Sequence, residues 1–221
     1  MPTKVLLVPG TWSNYRSTVP EWWQPGGAFY EFLRGQDFEP IGADNPWQWT
    51  TDLNGMFWQR ARHTDWQAAG SSLWQYLVPP VTGPERETYI PIRDRNLIIH
   101  SHGLQPVLYA CANGLRVNNI ITVGSPNRRD MWEVAHKARP NIHYWVHIAD
   151  PSLWANKWGW LGAMFDGEFK WPPRWSHLLA NINIAVHGTG HSNVLRDPEK
   201  FPLWLDNYWF DILKGVWYHD A

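Results

Sequence analysis

Five short apolar runs, spaced along the chain by helical patterns and loops, constrain what this sequence can fold into. They are KVLLV (4–8), NLIIH (96–100), NIITV (119–123), IHYWVHI (142–148) and NINIAV (181–186). Each reads as a buried strand, the kind that a parallel sheet covered on both faces requires. FEPIG (38–42) is a weaker candidate. Its Pro40 lacks a ladder donor and restricts it to an edge position.

The intervening segments carry helical signals. Residues 26–35 close on Gly35. Residues 65–78 place Trp66, Ala69, Leu73, Trp74 and Leu77 at helical spacing and stop before Pro79 and Pro80. Residues 104–114 have Pro106 in the first turn, where a missing N–H costs little, and Gly114 as a stop. Residues 131–138 form a further helix. Residues 202–215 begin with Pro and end with Gly, the usual asymmetry of helix termini. Strands alternating with helices predict an α/β fold, a mostly parallel, doubly wound sheet of about five or six strands with helices on both faces, in a three-layer sandwich. A chain of 221 residues is expected to form one domain with a sizeable core.

Composition narrows the function. Hydrophobic residues make up 44% of the chain and charged ones 18%, a globular balance. A net charge of −1 gives no electrostatic reason to expect a nucleic-acid or anionic-membrane partner. No stretch is long enough to span a bilayer, and VLLVPG near Met1 is too short for a secretory leader. The lone Cys111 excludes an internal disulfide, so the cytoplasm is the expected compartment, and Cys111 itself is expected to be a buried helix residue. The 18 tryptophans include two clusters, Trp47, Trp49 and Trp58, and then Trp154, Trp158, Trp160, Trp171 and Trp175. Such segments, broken by Gly and Pro, suit a pocket wall or peripheral packing equally well. The second cluster lies in a Trp- and Pro-rich insert at about 151–180.

In doubly wound sheets, sites gather at the carboxyl ends of the strands. Here those ends carry Pro9-Gly10-Thr11-Trp12, Ser101-His102-Gly103, Gly124-Ser125-Pro126-Asn127, Ala149-Asp150-Pro151, and His187-Gly188-Thr189-Gly190-His191. In chain order they supply a backbone-rich turn, a serine, an acid and a histidine.

This layout resembles the α/β-hydrolase superfamily, in which nucleophile, acid and histidine follow successive strands in that order. The resemblance runs from Val5 to His191 and the closing helix. The family's elbow, small-x-nucleophile-x-small, reads here Ile99-His100-Ser101-His102-Gly103; Ile99 departs from the small residue usual at its position. HGTGHSNVL resembles the segment bearing the catalytic histidine, LLVPGTW the oxyanion-hole strand and turn, and VGSPN (123–127) the stretch after the next strand in lipases. The resemblance implies Ser101 as nucleophile, His191 as base with His187 as fallback, and Asp150 as orienting acid with Asp130 and Asp166 as rivals. It also implies an oxyanion hole formed by the backbone N–H groups of His102 and of Thr11 or Trp12. Trp12, His102, Trp154 and Trp158 are expected to border the substrate pocket, and the insert to form a lid or pocket wall. Each role has a chemical reason: a serine hydroxyl needs a base, the base needs a fixed tautomer, and the developing oxyanion needs aimed donors. The expected activity is hydrolysis of a small-molecule carboxylic ester with no cofactor and no metal. Acyl group and oligomeric state are left open.

Two other readings compete. IIHSHGLQ resembles the H-x-H-x-D-H signature of metal-dependent hydrolases, which would make His100 and His102 ligands. That signature needs Asp and His where Leu104 and Gln105 stand. Alternatively, a hydrolase-like scaffold could serve as a non-catalytic, Trp-rich binding module.

Overall fold

The computed structural model describes residues 2–10, 20–41, 59–78, 90–151 and 177–215, apart from the side chains of 59–62. Six strands form one all-parallel sheet: β1 (Thr3–Val8), β2 (Phe38–Ile41), β3 (Asn96–His100), β4 (Val117–Val123), β5 (Ile142–Ala149) and β6 (Ile182–Ala185). Their order is β2-β1-β3-β4-β5-β6, and all five pairings are parallel. β2 stands at an edge, with Pro40 opposite Val5, where the missing N–H is tolerated.

Successive strand side chains point to opposite faces, and the two core clusters divide accordingly. Leu6, Val8, Leu97 and Ile99 belong to one cluster, Val5, Leu7 and Ile98 to the other. The first cluster includes residues of helices α2 (Gln59–Leu77), α3 (Leu104–Ala112) and α4 (Trp132–Ala138). The second includes residues of α1 (Ala28–Gly35), α5 (Asn193–Arg196), α6 (Pro202–Asp206) and α7 (Trp209–Leu213). Gly70 lets α2 and α3 approach closely: a Cβ there would lie 2.6 Å from the Pro106 carbonyl oxygen. Cys111 is fully buried in α3, and burial pushes its thiol pKa up to about 12. Among the described residues no helix is long and apolar enough to cross a membrane.

Two helices depart from expectation. α2 begins at Gln59, six residues before the apolar pattern starts, because that first stretch is polar and leaves no periodic signal. The single helix expected over 202–215 is two, split by Tyr208, whose φ of 59° is left-handed. The Leu203 carbonyl there accepts both the backbone N–H and the side-chain amide of Asn207. An asparagine side chain competing for a helix carbonyl is a recognised way to end a helix.

The chain runs from β1 outward to β2, then crosses back over β1 to β3. The reversal puts the topological switch point between β1 and β3, where doubly wound sheets open a crevice beyond the strand ends.

Residues of β4, β5 and the stretch before β6 form a buried polar cluster. Thr122 Oγ1 is 2.9 Å from His147 Nδ1 and accepts from Trp145 Nε1 at 3.0 Å. His177 packs on Trp145 with ring centroids 4.3 Å apart, and its backbone is clasped by Asn183. Burial first, then proximity to His147, hold the His177 imidazole well below its usual pKa of 6.5. The unfolded chain therefore takes up this proton first, so the His177 contribution is complete above about pH 6.5 and is lost as pH falls below it. Melting temperature is expected to drop between pH 7 and pH 5, by up to about 1.4 kcal/mol per pH unit in stability. A His177→Phe variant is expected to show a flatter profile in the same calorimetric series.

Candidate active site

β1 and β3 are neighbours, with Val8 opposite Ile99, so the turns after them emerge side by side. β3 runs directly into a tight 3-10 turn, Ser101–Gly103, and then into α3. Ser101 takes up a left-handed backbone with φ 52°. For a residue with a Cβ this costs on the order of 1–3 kcal/mol and persists only where the surroundings over-determine it. Two glycines provide that setting. A Cβ on Gly10 would lie 2.8 Å from Ser101 Cβ, and one on Gly103 would lie 2.4 Å from the Pro9 carbonyl oxygen. The space expected from a small residue at position 99 is thus supplied by Gly10 and Gly103, while Ile99 stays fully buried in the core.

Ser101 is 6% exposed, and its Oγ lies 3.0 Å from His191 Nε2, a contact between residues 90 apart in sequence. His191 rides on the loop after β6. Asp150, at the end of β5 and buried, accepts the Gly190 N–H through Oδ2 at 2.6 Å, which ties that loop to the neighbouring strand. His187, the fallback base, is exposed. The His100 ring lies 4.8 Å from His191 and 6.2 Å from Trp22, whereas the His102 ring lies near-parallel to Trp66 at 6.4 Å. The two histidines flanking Ser101 thus have different surroundings. Among the described residues no group of three or more potential ligands is placed to hold a metal ion. His102 lies in the 3-10 turn between Ser101 and the start of α3. Thr11, Trp12, Trp154, Trp158 and Asp166, both tryptophan clusters, and residues 152–176 of the insert lie outside the described residues.

Asp130 occupies a different setting from Asp150. It pairs with the Arg128 guanidinium and with His63, whose other ring nitrogen meets the Tyr109 hydroxyl. Burial opposes its charge, but the His63 hydrogen bond and the Arg128 guanidinium outweigh burial and hold its carboxyl below the usual range. The sequence reading did not anticipate this cluster. Its one local signal is the charged run Arg128-Arg129-Asp130, shortly after the Gly124-Ser125-Pro126-Asn127 turn that ends a strand; His63 lies upstream of the periodic helical pattern.

Gly124, at the end of β4, was also unanticipated as a site residue. Its φ is 57°, and a Cβ there would lie 2.8 Å from His191 Nδ1 and 2.9 Å from the His191 carbonyl oxygen. A Gly124→Ala change is expected to cost roughly 1–3 kcal/mol of stability from strain alone. It should also push the imidazole away from Ser101. Thermal denaturation and the ¹H–¹⁵N imidazole resonances of His191 would show both effects.

No protein-family model matches this sequence, and no curated protein or solved structure is significantly similar to it.

Proposed function

We propose that this protein is a serine hydrolase that cleaves carboxylic esters through an acyl-enzyme intermediate, on a scaffold similar to the α/β-hydrolases. The observation that carries the reading is the 3.0 Å approach of His191 Nε2 to Ser101 Oγ. It lies at the switch point of a parallel sheet, with the serine on a strained turn at a helix start.

In this reading Ser101 Oγ attacks the ester carbonyl while its proton passes to His191 Nε2. The carbonyl oxygen becomes an oxyanion, held by the His102 backbone N–H and by a backbone N–H of Thr11 or Trp12. Collapse of this intermediate breaks the bond to the alcohol, which leaves with the proton from His191. Water then attacks the acyl-serine, giving its proton to the same nitrogen, and the acid departs as Ser101 regains its hydrogen. Asp150 is the acid of the triad. Its anchoring of Gly190 holds the histidine loop in place, and its negative charge favours the imidazolium formed in each step. These steps call for no metal or organic cofactor.

A fluorophosphonate probe is expected to label the wild-type protein and to leave Ser101→Ala unlabelled. On p-nitrophenyl esters of graded acyl length, Ser101→Ala and His191→Ala should each lower kcat by at least about a thousandfold. Ester turnover that survives in Ser101→Ala, or that falls on adding a chelator, would overturn the assignment.

A further inference from the structure

A second polar cluster beside the candidate nucleophile is not used by the hydrolysis described above. The Arg128 side chain is fully buried. Its Nε and Nη2 donate to the two oxygens of Asp130 at 2.9 and 2.6 Å, which fixes the guanidinium along one edge. Asp130 Oδ2 is also 3.1 Å from His63 Nε2, and His63 Nδ1 is 2.6 Å from the Tyr109 hydroxyl. His63 thus bridges the Asp130 carboxylate and the Tyr109 hydroxyl through its two ring nitrogens.

The opposite side of the guanidinium is different. Arg128 Nη1 is buried without a hydrogen-bond partner, as are Asn127 Nδ2, Ser125 Oγ and both amide atoms of Gln105. Gln105 lies one helical turn before Tyr109 on the same face of α3, and one turn after Ser101. Buried polar groups in folded proteins are nearly always partnered, so several orphans from one loop and one helix start require an explanation. They also adjoin the candidate site. Ser125 follows Gly124, which touches His191. The Trp66 ring meets the Arg128 guanidinium at 5.1 Å and the His102 ring at 6.4 Å.

The chemistry of the orphans selects a ligand. Arg128 Nη1, Asn127 Nδ2 and Gln105 Nε2 can only donate, Ser125 Oγ can do either, and Gln105 Oε1 alone can only accept, so donors dominate. The missing partner is therefore rich in acceptors. Asp130 already balances the guanidinium charge, which argues against a dianion such as a phosphate monoester. A single carboxylate, flat and singly charged, matches planar guanidinium and amide N–H groups. We propose that Arg128, Asn127, Ser125 and Gln105 form a subsite for a free carboxylate on the substrate. The preferred substrates are then half-esters of dicarboxylic acids. Because the Trp66 ring lies against both Arg128 and His102, one aromatic ring separates that carboxylate subsite from the turn that carries Ser101. The substrate assignment rests on the serine-hydrolase reading; the carboxylate subsite does not.

Two measurements separate these claims. Ser101→Ala protein is titrated with monomethyl glutarate and with uncharged dimethyl glutarate while melting temperature is followed. The monoacid alone should raise it, and the rise should vanish in Ser101→Ala/Arg128→Gln and shrink in Ser101→Ala/Asn127→Ala. The second double variant leaves the Arg128–Asp130 pair intact and decides the matter if the first fails to fold. In wild type, kcat/KM for p-nitrophenyl hemiglutarate should exceed that for p-nitrophenyl butyrate by at least about thirtyfold. That ratio should fall toward one in Asn127→Ala. Selective stabilisation by the monoacid in a protein that hydrolyses no ester would uphold the subsite and end the hydrolase reading. Hydrolysis through Ser101 with no preference for the half-ester and no stabilisation by the monoacid would overturn the subsite alone.

Discussion

The left-handed backbone at Ser101 is the constraint on which the rest of the site depends. A strand that ended in relaxed geometry would carry its last side chain along the sheet. Here the chain reverses within one 3-10 turn, and the serine oxygen meets an imidazole from the far side of the sheet. The strain is affordable because nothing around it can relax. β3 lies between β1 and β4, with Val8 and Val123 on either side of the strand end, and α3 starts against Pro9 through Gly103. Strained conformations of this kind cluster where a fold positions chemistry, although strain alone does not say which chemistry.

Much of the fold was legible because burial on both faces writes itself directly into sequence. NLIIH, NIITV and IHYWVHI could hardly be anything but central strands, and their observed bounds differ by no more than two residues from the apolar runs. Pro40 likewise marked an edge. Legibility failed where local signals were weak or competed. The polar start of α2 has no periodicity, and Asn207 with Tyr208 broke a helix whose ends both looked regular.

The candidate site divides along the same line. Ser101, Asp150 and His191 stand out because each follows a strand, so topology alone gathers them at one rim of the sheet. The structure adds what spacing cannot contain. Asp130 and Asp150 both follow strands and looked like rivals, yet one is engaged by Arg128 and His63 while the other ties down the histidine loop. Which carboxylate meets which partner is decided by where α2 brings His63 and where the loop after β6 brings Gly190, and no local pattern encodes either. Gly124 is similar: its importance comes from a neighbour 67 positions later, which the sequence does not mark.

The hydrogen bond from Gly190 to Asp150 carries a consequence for how this molecule would fail under heat. The imidazole is not mounted on the sheet itself but on a short segment, part of it open to solvent, whose Gly190 N–H is held by the Asp150 carboxylate. Such segments open at a lower free energy than the whole domain. Loss of the mooring would swing the histidine out while all six strands stay zipped, so the proposed hydrolysis should fade at temperatures where the sheet still gives its full circular dichroism.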